Sequence, residues 1–419
     1  MEMNLLLSAI IFLPVSMTIS GIFLVILLFK QLHMVSRDRT MFCPYYFKKM
    51  WLLFIIFSIF QGIFAINKLF HFAGLIGHYL LYWLILWQIN NVIISIKDLK
   101  KVFLFVSISG SLLSIIAILT YFGFNPQIKL FYFPFYGGEY LINLETGKYI
   151  QKASGFAMNP NIMGCFLLIT IFITISNFEF KETFPNPLRH PPYPLQRGRR
   201  DGDKNILIWN GHDRFLQILL ILQTIGLMLT KSRGAIISCI IGLILLLFFK
   251  KFRYLIPVLI GFLFVFILNF EKYTNLLSTV FSQNYSTNLQ RLEVWQTGLK
   301  ILNDFPMGIG ILNFENIYPH YLQANSKFLP HAHNWYLQTF IESGILGALT
   351  FYIFYFYLIY FVFKNLNSKY TTIPVTLLCF SIFNLTDYVL TDNRICILLT
   401  IIIFAGLKLY TLDSKSESE

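Results

Sequence analysis

Apolar residues run along the chain in unbroken blocks, at about 4–30, 50–66, 69–95, 102–122, 155–178, 215–230, 235–249, 254–270, 335–363, 372–390 and 395–410. A bilayer-crossing helix needs roughly 20 apolar residues, so these blocks predict spanning or nearly spanning helices. The first block is long and holds Pro14 followed by Ser16, which predicts one tilted helix or two short ones folded at that point. The expected architecture is all-α, a polytopic transmembrane helical bundle of 11–12 spans forming one integral membrane unit over residues 1–419.

Charge then orients the bundle. Lys30, Arg37, Arg39, Lys48 and Lys49 face a single acid, Asp38, in one short loop. Further basic groups are Lys97, Lys100 and Lys101, then Lys250, Lys251 and Arg253, then Lys364 and Lys369. Threading the spans puts all of them on one face, which the positive-inside rule makes cytoplasmic. Two sizeable segments are left outside, about 123–154 and a large loop at 271–334. Residues 183–205 (TFPNPLRHPPYPLQRGRRDGDKN) form a Pro/Arg-rich cytoplasmic insertion with too few apolar groups to fold compactly.

Composition agrees: 56% of residues are hydrophobic and 13% charged, against about a quarter charged in soluble domains. The net charge of +13 sits in those short loops, as topology-setting charge does, so no nucleic-acid partner is expected. Five scattered cysteines without a C-x-x-C pair read as small apolar packing residues. Residues 4–30 are too long for a typical signal-peptide core and lack a small-residue cleavage site.

Nucleotide-binding loops, a dinucleotide fingerprint and H-E-x-x-H are absent from the sequence. Chemistry outside the cytoplasm must therefore start from an already activated substrate, and polar groups on the outer face are the candidates. Lys231-Ser232-Arg233-Gly234 opens an outward-starting helix, whose free N–H groups beside two cations suit a phosphate. The plainer alternative is that Lys231 and Arg233 snorkel to lipid headgroups. Leu289, Leu292, Trp295, Leu299 and Leu302 follow helical spacing, which predicts an amphipathic surface helix carrying Arg291 and Trp295 one turn apart. From spacing alone, an ordinary interfacial helix with a solvated arginine is slightly favoured.

In His331-Ala332-His333-Asn334-Trp335, Asn334 is a plausible N-cap for the long helix that follows. That helix exceeds the bilayer, so its first turns project outward or it tilts. The His-x-His pair resembles a metal fragment, but no third ligand lies near it in the sequence, so no metal and no cofactor are expected. Glu342 lies just inside an apolar block, where an acid is costly; it is a functional candidate with ion pairing as the alternative. Asp387, Asp392, Arg394 and His71 fit packing or pairing roles. The aromatic run Phe131–Tyr136 suits either sugar stacking or an interfacial belt.

Taken in order, these blocks resemble the O-antigen ligase/polymerase superfamily of bacterial membrane glycosyltransferases. The matching residues are Gly155-Phe156-Ala157-Met158-Asn159-Pro160-Asn161, Ser232-Arg233-Gly234, Arg291 with Trp295, Gly308-Ile309-Gly310 with Phe314, and His333-Asn334 with Glu342, Ser343 and Gly344. Lys152 stands where many members carry arginine. Members have about 12 spans with both termini inside, which favours a hairpin for residues 4–30.

The resemblance implies an inner-membrane enzyme with its active site on the periplasmic face. It implies transfer of a glycan from an undecaprenyl-diphosphate-linked donor to an acceptor hydroxyl, on a lipid A core sugar or a growing chain. The family's essential basic positions correspond to Arg233, Arg291 and His333. With Lys231 added, the arginines would bind the diphosphate. His333 would be the catalytic base, with Glu342 second, and Asn334, Trp295 and Asn161 would support them. An anion transporter is the rival class, and a non-catalytic assembly scaffold is a third.

Overall fold

The computed structural model describes residues 1–14, 17–33, 45–122, 139–142, 149–152, 159–183, 211–248, 255–268, 270, 286–322, 328–365 and 370–416. The Pro/Arg-rich stretch beyond Thr183, the aromatic run 131–136, the Gly155–Met158 part of the first motif and residues 271–285 of the large loop lie outside them.

The chain is all-α. Its helices are α1 (Glu2–Phe12), α2 (Met17–His33), α3 (Tyr45–Gln61), α4 (Lys68–Leu75), α5 (Leu81–Val92), α6 (Ile96–Tyr121), α7 (Pro160–Thr183), α8 (Gly211–Thr230), α9 (Arg233–Phe248) and α10 (Leu255–Leu268). They continue with α11 (Ser286–Asp304), α12 (Phe314–Ile317), α13 (Trp335–Asn365), α14 (Thr372–Phe383) and α15 (Asn393–Ser416). One short antiparallel ribbon, β1 (Glu139–Ile142) with β2 (Tyr149–Lys152), pairs Glu139 with Lys152.

Among the described residues, α6, α7, α8 and α13 contain stretches long and apolar enough to cross a membrane. Several other apolar helices are shorter, including those of α1, α2, α9, α10 and α14. The first apolar block is two helices, α1 and α2, packed on each other.

Helix α7 is the centre of the bundle, with Cys165, Phe166, Leu167, Leu168, Ile169, Ile171 and Phe172 all buried. It packs on α6, α8, α9 and α14, while α10 covers α8. Polar side chains inside this layer pair with one another, as they must where water cannot reach them. The Gln223 amide on α8 donates to the Ser107 carbonyl at 2.7 Å, and its oxygen accepts from Thr174 of α7 at 3.1 Å. Asn177 donates to the Ser107 hydroxyl at 3.0 Å. Outward faces stay apolar and exposed, with Ile56, Ile59 and Ile63 on and just after α3, Leu259 and Leu263 on α10, and Leu346 and Ile353 on α13. Bands of this size suit contact with lipid.

Two expectations change. The long helix after His333 is not continuous: α13 breaks at Gly344, whose φ of 70° and ψ of 176° suit glycine alone. There the loop between α11 and α12 fills the gap, because Ile309 and Gly310 donate their N–H groups to the Ile341 and Glu342 carbonyls, both at 3.0 Å. The apolar block at 372–390 is also not one helix. α14 ends at Phe383, and the following turn is held by Trp335, whose N–H donates to the Asn384 and Asp387 carbonyls at 3.0 and 3.1 Å.

The large loop is itself folded. Val294 and Ile301 of α11 form a second apolar core with Ile309, Phe314, Tyr318, Ala332 and Ile341. This layer lies across the start of α13 and brings α11 against it.

Candidate functional site

Five chain segments meet at one end of the bundle. Between α8 and α9 the chain turns tightly: Thr230 Oγ1 accepts from the Ser232 N–H at 3.1 Å, and Lys231 takes a left-handed φ of 51°. Lys231 is buried, with its ammonium 5.5 Å from the centre of the Tyr121 ring, a cation–π contact. The Ser232 hydroxyl donates to Asn161 Oδ1 at 2.9 Å, which ties the start of α9 to the start of α7. Asn161 is itself held by Asn159, whose Oδ1 accepts its N–H at 2.8 Å. Gly234 faces the turn after α14: a Cβ there would lie 2.7 Å from Thr386 Oγ1, one residue before Asp387.

Arg233 opens α9 and donates to Asn288 Oδ1 at 3.1 Å. Asn288 precedes Arg291 by one turn of α11, so the two share a side of that helix. The Arg291 charge acts in turn on His331 and Asp387. Arg233, Asn288, Arg291, Asp387 and His333 therefore form a continuous neighbourhood built from α9, α11, the segment before α13 and the turn after α14.

The histidine segment is clamped on every side. Trp295 Nε1–H donates to the Ala332 carbonyl at 2.9 Å, and Gln338 Oε1 accepts the Ala332 N–H at 2.8 Å. Asn334 caps α13 as the sequence implies, accepting from the Leu337 N–H at 3.0 Å, and its amide donates to the Leu385 carbonyl at 3.0 Å. Held between these bonds, His333 adopts a left-handed backbone, φ 48°, a conformation uncommon outside glycine and concentrated at functional sites.

His333 Nδ1 lies 3.1 Å from Asp387 Oδ1. Asp387 Oδ1 also accepts from the Tyr388 N–H at 2.8 Å, which turns the carboxylate toward the ring. Burial pushes the Asp387 carboxyl upward, but the His333 hydrogen bond and the positive charges of His333, His331 and Arg291 outweigh it. The net effect holds it below the ordinary 3.8. With the carboxylate as acceptor, the ring proton sits on Nδ1 and Nε2 is left as the basic nitrogen. Among the sequence candidates Asp387 fitted a packing or pairing role. Its pairing with His333, across 54 positions of sequence, has no local signal.

His331 lies against His333, with ring centres 4.2 Å apart. Burial first, then the His333 and Arg291 charges, push its pKa from 6.5 down to about 4, against an opposing pull from Asp387. A histidine whose folded pKa is lowered takes up fewer protons than the unfolded chain between those two values. Stability should therefore be full above pH 6.5 and fall as the pH drops toward 4. His331→Gln should flatten this part of a thermal-midpoint-against-pH curve; an unchanged slope would remove His331 as its source.

The fold also supplies the third partner that the His-x-His pair lacks in sequence, since His331, His333 and Asp387 offer ligand atoms within 4.8 Å of one another. The Arg291 charge acts on two of these three groups and opposes a second cation there. Glu342 sits elsewhere in the cluster. It is buried, accepts from the Leu312 N–H at 3.1 Å and the Gln338 amide at 2.9 Å, and is joined to the histidine segment through Gln338.

No curated protein matches the chain. Arg233, Arg291, Trp295, His333, Asn334 and Glu342 all fall in residues 218–352, whereas Asn161 and Asp387 lie outside that segment. Over those residues the chain matches the family model described as O-antigen ligase.

Proposed function

We propose that this protein is a membrane glycosyltransferase that takes a glycan from an undecaprenyl-diphosphate donor and joins it to an acceptor hydroxyl. The observation that carries this reading is the His333–Asp387 pair at 3.1 Å, set beside a neighbourhood containing two arginines. A diphosphate leaving group needs charge stabilisation more than it needs a proton. Arg233 and Arg291, with the N–H groups opening α9, suit that requirement. His333 Nε2 accepts the proton of the acceptor hydroxyl as its oxygen attacks the anomeric carbon. The bond to the diphosphate oxygen breaks on the opposite side, so the anomeric centre inverts. Asp387 orients the ring and stabilises the imidazolium that forms. No step requires a metal.

The basic loops on the opposite face support a reading in which this end lies on the periplasmic side of an inner membrane. The acceptor is a lipid A core sugar or a growing glycan. In a strain lacking the gene, unattached full-length chains indicate the first and single capped repeat units the second.

An anion transporter would offer the free backbone groups of a broken helix to its cargo. In the break of α13 the Ile341, Glu342 and Ile345 groups bond the Pro306–Gly310 loop instead. The direct test uses the full chain in vesicles with a synthetic polyprenyl-diphosphate glycan and a glycolipid acceptor. Joined product and released polyprenyl diphosphate are expected; anion flux without product would replace this reading by the transporter.

A further inference from the structure

A buried hydrogen-bond relay runs from the N-terminal helices to the histidine segment. It begins at His71 of α4, which is fully buried. His71 Nδ1 accepts the Ile311 N–H at 3.1 Å, so its proton is on Nε2, which donates to the Ser58 carbonyl of α3 at 2.8 Å. Asn67 and Asn313 exchange two further bonds, at 3.1 and 3.2 Å, and the Ile66 N–H donates to the Ile309 carbonyl at 3.0 Å. The 306–313 loop is thus pinned on one side by the segment 58–71.

On its other side the loop fills the break in α13. Besides the Ile309 and Gly310 bonds, the Ile345 N–H donates to the Pro306 carbonyl at 3.0 Å. The Gln61 amide of α3 reaches the same Glu342 carbonyl that Gly310 holds. Leu312, with a left-handed φ of 61°, turns its N–H onto Glu342 Oε1. That oxygen also takes the Gln338 amide, and Gln338 Oε1 holds the Ala332 N–H, between the two histidines. The bonds made by His71, Gln61, Asn313, Gln338 and Glu342 use buried side chains that are costly to leave unpaired.

We infer that His71 and Glu342 are positioning residues for the transfer reaction: through the 306–313 loop and Gln338 they hold the Ala332 peptide, and so set the backbone from which His333 meets Asp387. This rests on the function proposed above. It takes Glu342 out of the role of proton acceptor and adds a residue outside the O-antigen ligase-like segment.

Three variants of the full chain test it: His71→Leu removes the acceptor, His71→Asn keeps an acceptor oxygen near the Nδ1 position, and Glu342→Gln keeps one for Leu312 and Gln338. In hydrogen–deuterium exchange, His71→Leu should raise exchange in 306–314 and in 331–335, and His71→Asn should restore protection to both. In the transfer assay, kcat for His71→Leu should fall about 10- to 100-fold with the donor KM within about twofold, and His71→Asn should recover most of it. Glu342→Gln should stay within about tenfold of wild type, where loss of a proton acceptor would cost about 10²-fold or more.

Unchanged exchange at 331–335 overturns the relay, as does wild-type kcat in a loosened His71→Leu. Glu342→Gln as inactive as His333→Ala also overturns it. Should His71→Leu not fold, the Glu342→Gln rate and the His71→Asn protection pattern decide. If the wild type transfers nothing, the proposed function fails, while the exchange arm still decides the relay.

Discussion

Alanine at position 333 is expected to lower the transfer rate about 10²- to 10⁴-fold, the usual worth of a positioned general base, while the folded yield stays near wild type. The side chain is partly exposed and its ring bonds to Asp387, so truncation leaves the apolar core intact. Asp387→Asn is the companion variant. An asparagine amide turned toward Nδ1 would favour the opposite tautomer and place the ring proton on Nε2, where the acceptor hydroxyl needs a base. A loss of about 10²-fold or more in kcat is expected, with little change in donor KM.

The pH dependence has a definite sign. Because Asp387 is held below 3.8, it is ionised throughout the neutral range, and its contact with His333 stabilises the fold above that value. That contribution is lost only as the pH falls below 3.8 through the lowered pKa, and it should be missing from Asp387→Asn. A His333→Ala enzyme that transfers glycan at the wild-type rate would remove the base from the mechanism.

The arginines carry the second large effect. Arg233→Ala or Arg291→Ala should each lower kcat/KM for the lipid-linked donor about 10²- to 10³-fold, as loss of one preorganised donor to a developing anion does. Lysine should rescue poorly at either position, because a point charge cannot reproduce the guanidinium fork. Arg291 also acts beyond the donor, since its charge helps keep Asp387 ionised. Arg291→Ala should therefore raise the Asp387 pKa, while Arg233→Ala should not. Titrating the acid loss of stability in both variants separates donor binding from this electrostatic support. Equal curves would show that Arg291 does not act on the carboxylate.

Helices could be read from the sequence because the bilayer makes local composition decisive: a backbone without water must satisfy itself within each segment. Apolar blocks at 102–122, 215–230 and 235–249 accordingly reappear as α6, α8 and α9. The Asn334 cap was equally legible, since an N-cap bonds within its own first turn. The residue types near Arg233, Arg291 and His333 already pointed to anion and proton chemistry.

What sequence could not supply were partners distant along the chain. Asp387 lies inside an apolar block that looks like continuous helix; only the Trp335 bonds to the turn after α14 bring its carboxylate under His333. The break at Gly344 follows from the 306–313 loop entering α13, and His71 matters only because Ile311 ends beside it. Local periodicity reports the energy of a residue with its own turn of helix, whereas these contacts depend on which helices pack together, a quantity spread over the whole bundle.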